Sequence, residues 1–241
     1  MKKHFAVLPK IAALTLLAAA AAPAMAQQAG DNVVGIGWFH LAPQDSSQNL
    51  VISGQTVPNT GASVDNANTL GLQFTHFYTD NWALSADAGI PPTFHLSGEG
   101  SLQGVHIGEA KQWSPAILAK YYFGDKTSQF RPFVGAGATY VWYSDVKLDS
   151  GFQQLLSSEI SRGQTGAFPT SAKLSSSLTP VINAGMSYNI DKNWSVSLSV
   201  SYIPLKTTAD LTTSTPVGDV HSSTKLTLNP IVSFLSVGYK F

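Results

Sequence analysis

The sequence predicts an all-β protein whose eight antiparallel strands close into a transmembrane up-and-down β-barrel. Three observations predict it. Stretches alternating large apolar with small or polar residues recur along the chain, and the connections between them alternate long and short. After residue 26 no apolar run is long enough for a membrane helix, and in lipid that leaves only a closed barrel. Trp194–Tyr202 is the clearest stretch: Trp194, Val196, Leu198, Val200 and Tyr202 share one face and four serines share the other. An aliphatic face with an aromatic at each end, opposed by a hydroxylated one, is the pattern of a strand between lipid and a polar lumen.

The chain opens on Lys2, Lys3 and Lys10, an apolar run over Ile11–Ala22, and the A-x-A-like Pro23-Ala24-Met25-Ala26. That is the pattern of a secretory signal peptide cleaved after Ala26. Residues 27–241 are then expected to form one outer-membrane barrel domain. Three of the fourteen basic residues leave with the leader while all fourteen acidic ones stay, so no basic footprint for nucleic acid remains. With no cysteine, neither disulfides nor thiolate sites exist.

In order, strand one covers about Asn32–Pro43 and is followed by the long polar segment Gln44–Asn68. Strand two, Thr69–Tyr78, turns sharply at Thr79-Asp80-Asn81 into strand three, Trp82–His95. A longer connection, Ser97–Gln112, leads to strand four, Trp113–Phe123, and the short Gly124–Gln129 turn to strand five, Phe130–Lys147. Leu148–Lys173 separates it from strand six, Leu174–Ile190. Asp191-Lys192-Asn193 turns into strand seven, Trp194–Thr208, and the polar Ala209–Ser223 precedes strand eight, Thr224–Phe241. Even strand number, short turns at one end and long connections at the other fit a bacterial outer-membrane barrel with both termini in the periplasm.

Within the strands, Trp82, Leu84, Ala86, Ala88 and Ile90 oppose Ala83, Ser85, Asp87 and Gly89, and similar alternation marks strands two, five, six and eight. About ten to twelve residues from the short-turn end, the chain meets Pro43, Pro91/Pro92, Pro115, Pro180, Pro204 or Pro230. Proline removes a ladder donor, so this belt marks the outer edge of the embedded zone. The sharpest interruption is expected between strands three and four, where Pro91-Pro92 faces Pro115.

Asp87, Lys120 and Lys240 take the inward parity, and charges held away from water are usually paired. Neutralisation of the interior is the first expectation, a polar filter for solutes the second. His95, His106, Glu99 and Glu109 gather near the second long connection without a nucleophile–base motif or a compact ligand spacing. Neither catalysis, a metal site nor a cofactor is therefore expected. Phe152, Leu155, Leu156 and Ile160 recur at helical spacing, as in a short amphipathic turn at the lumen mouth, on the rim or in the outer leaflet.

Five stretches resemble the OmpW family of small outer-membrane β-barrels: Leu70–Asn81 (LGLQFTHFYTDN), Pro115–Asp125 (PAILAKYYFGD), Phe130–Tyr140 (FRPFVGAGATY), Asp191–Trp194 (DKNW) and Leu228–Phe241 (LNPIVSFLSVGYKF). The aromatic ending at Tyr239 and Phe241 is shared by many such barrels, as a signal to the assembly machinery. The resemblance implies a narrow, partly apolar channel or carrier for small hydrophobic or amphipathic molecules across the bacterial outer membrane. Sideways release is then expected where Pro91, Pro92 and Pro115 weaken the contact between strands three and four. Expected partners are outer-membrane lipids, lipopolysaccharide, the assembly machinery and the solute, and some members are phage or bacteriocin receptors. Asp87 and Ser201 depart from a greasy constriction, while Phe39, Leu41, Phe77, Phe133, Val232 and Phe234 supply apolar lining. A non-transporting surface receptor, adhesin or envelope stabiliser is the other reading. It predicts a plugged lumen.

Overall fold

The computed structural model describes residues 27–161 and 168–241, so the predicted leader, residues 1–26, lies outside them. In chain order come β1 (Asn32–Ala42), β2 (Ser46–Ser47), β3 (Val51–Ile52), β4 (Gln55–Thr56), β5 (Thr60–Val64), β6 (Ala67–Phe77), β7 (Trp82–Gly89), β8 (Thr93–Gly100) and β9 (His106–Trp113). They are followed by β10 (Ala116–Tyr122), β11 (Phe130–Leu148), α1 (Ser150–Ile160), β12 (Thr170–Leu174), β13 (Ser177–Asn189), β14 (Trp194–Tyr202), β15 (Lys206–Thr215), β16 (Gly218–Thr227) and β17 (Ile231–Lys240). Eight of them close a cylinder in the order β1-β6-β7-β10-β11-β13-β14-β17, every pair antiparallel, with β17 hydrogen-bonded to both β14 and β1. Closure leaves no edge, as lipid requires.

The pleat sorts side chains as the alternation predicts. On β14, Trp194, Leu198, Val200 and Tyr202 are exposed to the outside while Ser195 and Ser199 are buried inside. Ile36, Leu72, Ile117, Ile182 and Leu235 continue the outward apolar band. Aromatics ring both its ends: Trp82 against Tyr121 and Trp194 against Tyr239 at the short-turn end, Trp113 against Trp142 at the other. The short turns are closed by their own side chains. Asp191 Oδ1 accepts from the backbone N–H of Asn193 and Trp194, each at 2.8 Å, and Asp125 Oδ1 accepts from Thr127 N–H. Asn81 and Asn193 lean across to donate to the Tyr122 and Lys240 carbonyls.

The long connections differ from expectation. The sequence predicts long connections, two of them polar, but they carry a second storey of sheet: β5-β8-β9 continuing from the upper half of β11, and β12-β15-β16-β3-β4 with β2 on β16. The predicted strands three, four, seven and eight accordingly break at Pro91-Pro92, Pro115, Pro204 and Pro230 instead of running through. Pro180 stays inside β13, where it faces the paired β11, opposite Ala138, beyond the last β13–β14 pair at Ile182–Tyr202. The helical spacing near residue 155 does form α1, capped by Asp149, whose side chain accepts from Gly151 N–H. Phe152 and Leu156 are buried against Leu211, so the helix roofs the second storey, with Leu155 left exposed.

Side chains fill the short-turn end of the lumen. Arg131 is fully buried there, over the rings of Phe77 and Tyr122. Its guanidinium donates to three carbonyls, those of Gln27 (Nη1, 2.8 Å), Asp80 (Nη2) and Phe123 (Nε, 3.4 Å). One side chain thus ties the first described residue to two turns. Gln27 in turn donates to Asn189 Oδ1 at 2.6 Å. Arg131→Met keeps the length but strips one buried and two part-buried carbonyls of their donor, so it should cost about 3 kcal/mol. Urea unfolding in detergent micelles measures it; a loss below about 0.5 kcal/mol would leave Arg131 no role as a tie.

Candidate functional site

Above the filled base the interior is layered. The first layer is hydroxyl and amide: Thr75 meets Ser85 (2.6 Å), Ser187 meets Ser197 (3.0 Å), and Asn183 Nδ2 donates to Ser201 Oγ (2.8 Å). Buried polar groups are tolerable when they are bonded to one another. Lys120, also buried, holds its ammonium 5.2 Å from the Phe133 ring centre. Asp87 accepts from Gln73 Nε2 at 2.9 Å. Asp87 and Lys120 do not close an ion pair among the described residues. They lie on paired strands, but Asp87 faces Ala116 whereas Lys120 faces Ala83.

On this layer lies a cavity of about 340 Å³. Its floor is Phe39, whose ring stacks on Phe234 at 3.9 Å between centres. The Phe39 ring fits because position 71 is glycine: a Cβ there would sit 2.0 Å from Phe39 Cε2. Leu41, Leu118, Val181 and Val232 form the sides. Val141 and Leu205 form the roof and, with Leu226 and Leu228, divide this cavity from a smaller one of about 70 Å³ in the second storey. That upper cavity is walled by Leu96, Leu102, Ile107, Phe152 and Leu211, with Glu109 and Lys147 at its rim. Lys147 donates to Glu109 at 3.1 Å and holds its carboxyl below the usual range, as Lys111 does for Asp145. His95 stands opposite Glu109 in the β8–β9 ladder, with His106 5.9 Å away ring to ring, whereas Glu99 pairs towards β5.

The wall of the main cavity has a slot. The β7–β10 ladder ends at Asp87–Ala116, and pairing resumes only where Gln112 N–H donates to the Pro92 carbonyl and Thr93 faces Lys111. Residues 88–91 and 113–115 between these points are unpaired with each other, and all of them line the cavity. Proline explains the break, since Pro91, Pro92 and Pro115 lack the N–H a ladder needs. Carbonyls at its edges accept from threonines of the flanking strands: Thr139 Oγ1 donates to Pro115 at 2.9 Å, beside the Tyr140 N–H, and Thr69 Oγ1 to Ile90 at 2.6 Å. The stacked indoles of Trp113 and Trp142 flank the slot on its upper side.

Of the residues singled out in the sequence, Phe39, Leu41, Asp87, Ser201, Val232, Pro91, Pro92 and Pro115 line this one cavity. Phe234 backs its floor. Phe77 and Phe133 instead cluster with Tyr122 in the base, and Lys120 lies beside them, below the cavity. Tyr239 and Phe241 are exposed on the outside, and Phe241 N–H donates to the Asn32 carbonyl to close the barrel. Sequence reasoning missed Arg131, the roof residues Val141 and Leu205, and the threonines that cap the slot.

A closed eight-stranded cylinder, apolar without, ringed by aromatics and filled at one end, defines an outer-membrane β-barrel. The chain belongs to the OmpW family, whose model matches residues 28–241. It is similar to outer membrane protein W of Vibrio cholerae, 33% identical over 96% of this chain and 98% of that one. It is also similar to the dibenzothiophene metabolism operon protein PahQ of Pseudomonas aeruginosa, 25% identical over 82% of each. Among solved structures, the outer membrane protein OprG from Pseudomonas aeruginosa superposes with a TM-score of 0.78 at 27% identity, covering 90% of this chain and 99% of that one.

If Phe39 is seated by the missing Cβ at residue 71, Gly71→Ala should destabilise the barrel by about 1–3 kcal/mol. In a Phe39→Ala background the same change should cost at least about 1 kcal/mol less. Additive costs in urea titrations would mean that the ring and the glycine are not coupled.

Proposed function

We propose that this barrel carries small apolar or amphipathic molecules inward from the cell surface and releases them sideways into the membrane through the slot between β7 and β10. The observation that carries the proposal is the lining of the 340 Å³ cavity, which joins lumen-facing Phe39, Leu41 and Val232 to wall residues 88–91 and 113–115. An apolar solute there has greasy surface on one side and an unpaired seam on the other. Beneath it lie bonded hydroxyls, the Lys120 ammonium and the Arg131 tie, through which an apolar molecule would pass only by breaking buried hydrogen bonds. The similarity to PahQ, whose name places it in an operon for metabolism of an apolar aromatic compound, supports the same solute class.

A receptor or adhesin needs no seam in its wall, so blocking the seam separates the readings. Ala116 borders the slot on the inward face, opposite Asp87, and tryptophan there would fill it. Cells lacking the native protein and expressing Ala116→Trp should take up labelled naphthalene several-fold more slowly than cells with the unmodified barrel. Heat-modifiable migration on gels confirms folding. Undiminished uptake would overturn the sideways route, and no gain from the unmodified barrel itself would favour the receptor.

A further inference from the structure

The cavity is mostly apolar. Asp87 is the only ionisable side chain among the residues that line it. The other polar side chains at its wall are neutral: Thr69 and Thr139 donate to the Ile90 and Pro115 carbonyls, Ser201 Oγ accepts from Asn183, and Gln112 and Ser114 add an amide and a hydroxyl. Asp87 Oδ1 accepts from Gln73 Nε2, while Oδ2 accepts from no described donor. An ionised carboxylate has room for about four hydrogen bonds, so one bond leaves most of that capacity unused. The buried cation of the adjoining strand, Lys120, makes no hydrogen bond to it among the described residues. Lys120 is four residues lower in the β7–β10 register, and its ammonium is held over Phe133 on the side of the base.

We propose that the lateral cavity selects amphiphiles bearing a protonated amine on an apolar body, the ammonium donating to Asp87 Oδ2 and the body lying over Phe39 between Leu41, Val232 and the slot. The proposal rests on the carrier function above and names its solute class. An amine matches the site because a carboxylate facing apolar walls is stabilised by an N–H⁺ donor and repels a second carboxylate. The volume fits as well, lying at the small end of ligand pockets, which begin near about 300 Å³. A body of one or two fused rings fills it, and a bulkier one does not. The specificity is for an N–H: a quaternary ammonium brings the charge without the hydrogen bond and is held more weakly.

Four naphthalene probes of one shape test this: the neutral hydrocarbon, naphthylmethylammonium, its N-trimethylated form and naphthoate. Binding is measured by equilibrium dialysis against the full-length mature barrel in phosphatidylcholine nanodiscs, with protein-free discs subtracted. The ammonium should bind at least about tenfold more tightly than naphthoate, with the trimethylated probe between them. Asp87→Asn should bring the ammonium-to-carboxylate ratio to near unity, and Asp87→Glu should retain most of it. Equal binding of ammonium and carboxylate by the unmodified protein overturns the proposal, whether or not the Asn variant folds. So does a preference that survives Asp87→Asn. Should the neutral hydrocarbon bind no better than to empty discs, the carrier function fails first, and the amine selectivity with it.

Discussion

Everything in this fold follows from one constraint: inside the hydrocarbon there is no water to bond a backbone N–H or carbonyl. Eight strands meet it by pairing in a circle, β17 to β1 included. The slot is where the constraint is locally relaxed, and it is relaxed from both sides at once. Proline supplies residues with no N–H to satisfy, and the Pro115 and Ile90 carbonyls turn away from the gap to threonine hydroxyls on β11 and β6. A seam built this way costs little in orphaned polar groups. It can face lipid without inviting either water or another strand.

The same logic grades the interior. Where the wall is fully paired, the lumen is packed with short hydroxylated side chains bonded to each other, and Arg131 ties the base to the turns through backbone oxygens. Where the wall is seamed, the lining turns aliphatic and aromatic, and Phe39 lies flat because residue 71 has no side chain. Polarity and pairing therefore change at the same level. That coincidence is what makes the cavity a compartment of its own.

The membrane-facing part of this arrangement was legible because lipid enforces it. Trp194–Tyr202 has its faces dictated residue by residue, and the turns at Asp80 and Asp191 are local chemistry. The second storey was not legible for the converse reason. Strands β15 and β16 bury Thr207, Thr213 and Ser222 beside only Leu211 and Leu226, so their alternation has little hydrophobic amplitude and Ala209–Ser223 reads as loop. Phe77, Phe133 and Lys120 share the lumen parity of Phe39, but parity says which face a residue takes and nothing about its height. Height depends on strand tilt and register, which only the closed ladder sets. Arg131 carried a usable signal, an arginine at lumen parity directly after a short turn, but a charge at a strand start ordinarily reads as solvated.

Asp87 shows why the departures from the expected pattern matter most. A purely greasy cavity would attract any apolar solute and hold it by surface area alone, about 25 cal/mol for each Å² removed from water. Such a force barely discriminates, and a solute bound by it loses nothing on leaving for lipid, which is equally apolar. One carboxylate at the lip changes both properties. It adds a directional bond that only a donor can make, and it lies at the last position of β7 that pairs with β10, immediately below the seam. On the proposed sideways route a solute moving into the slot would pass beside that oxygen, so discrimination would fall at the step that commits the molecule to the membrane, where an error could no longer be reversed by escape to the surface.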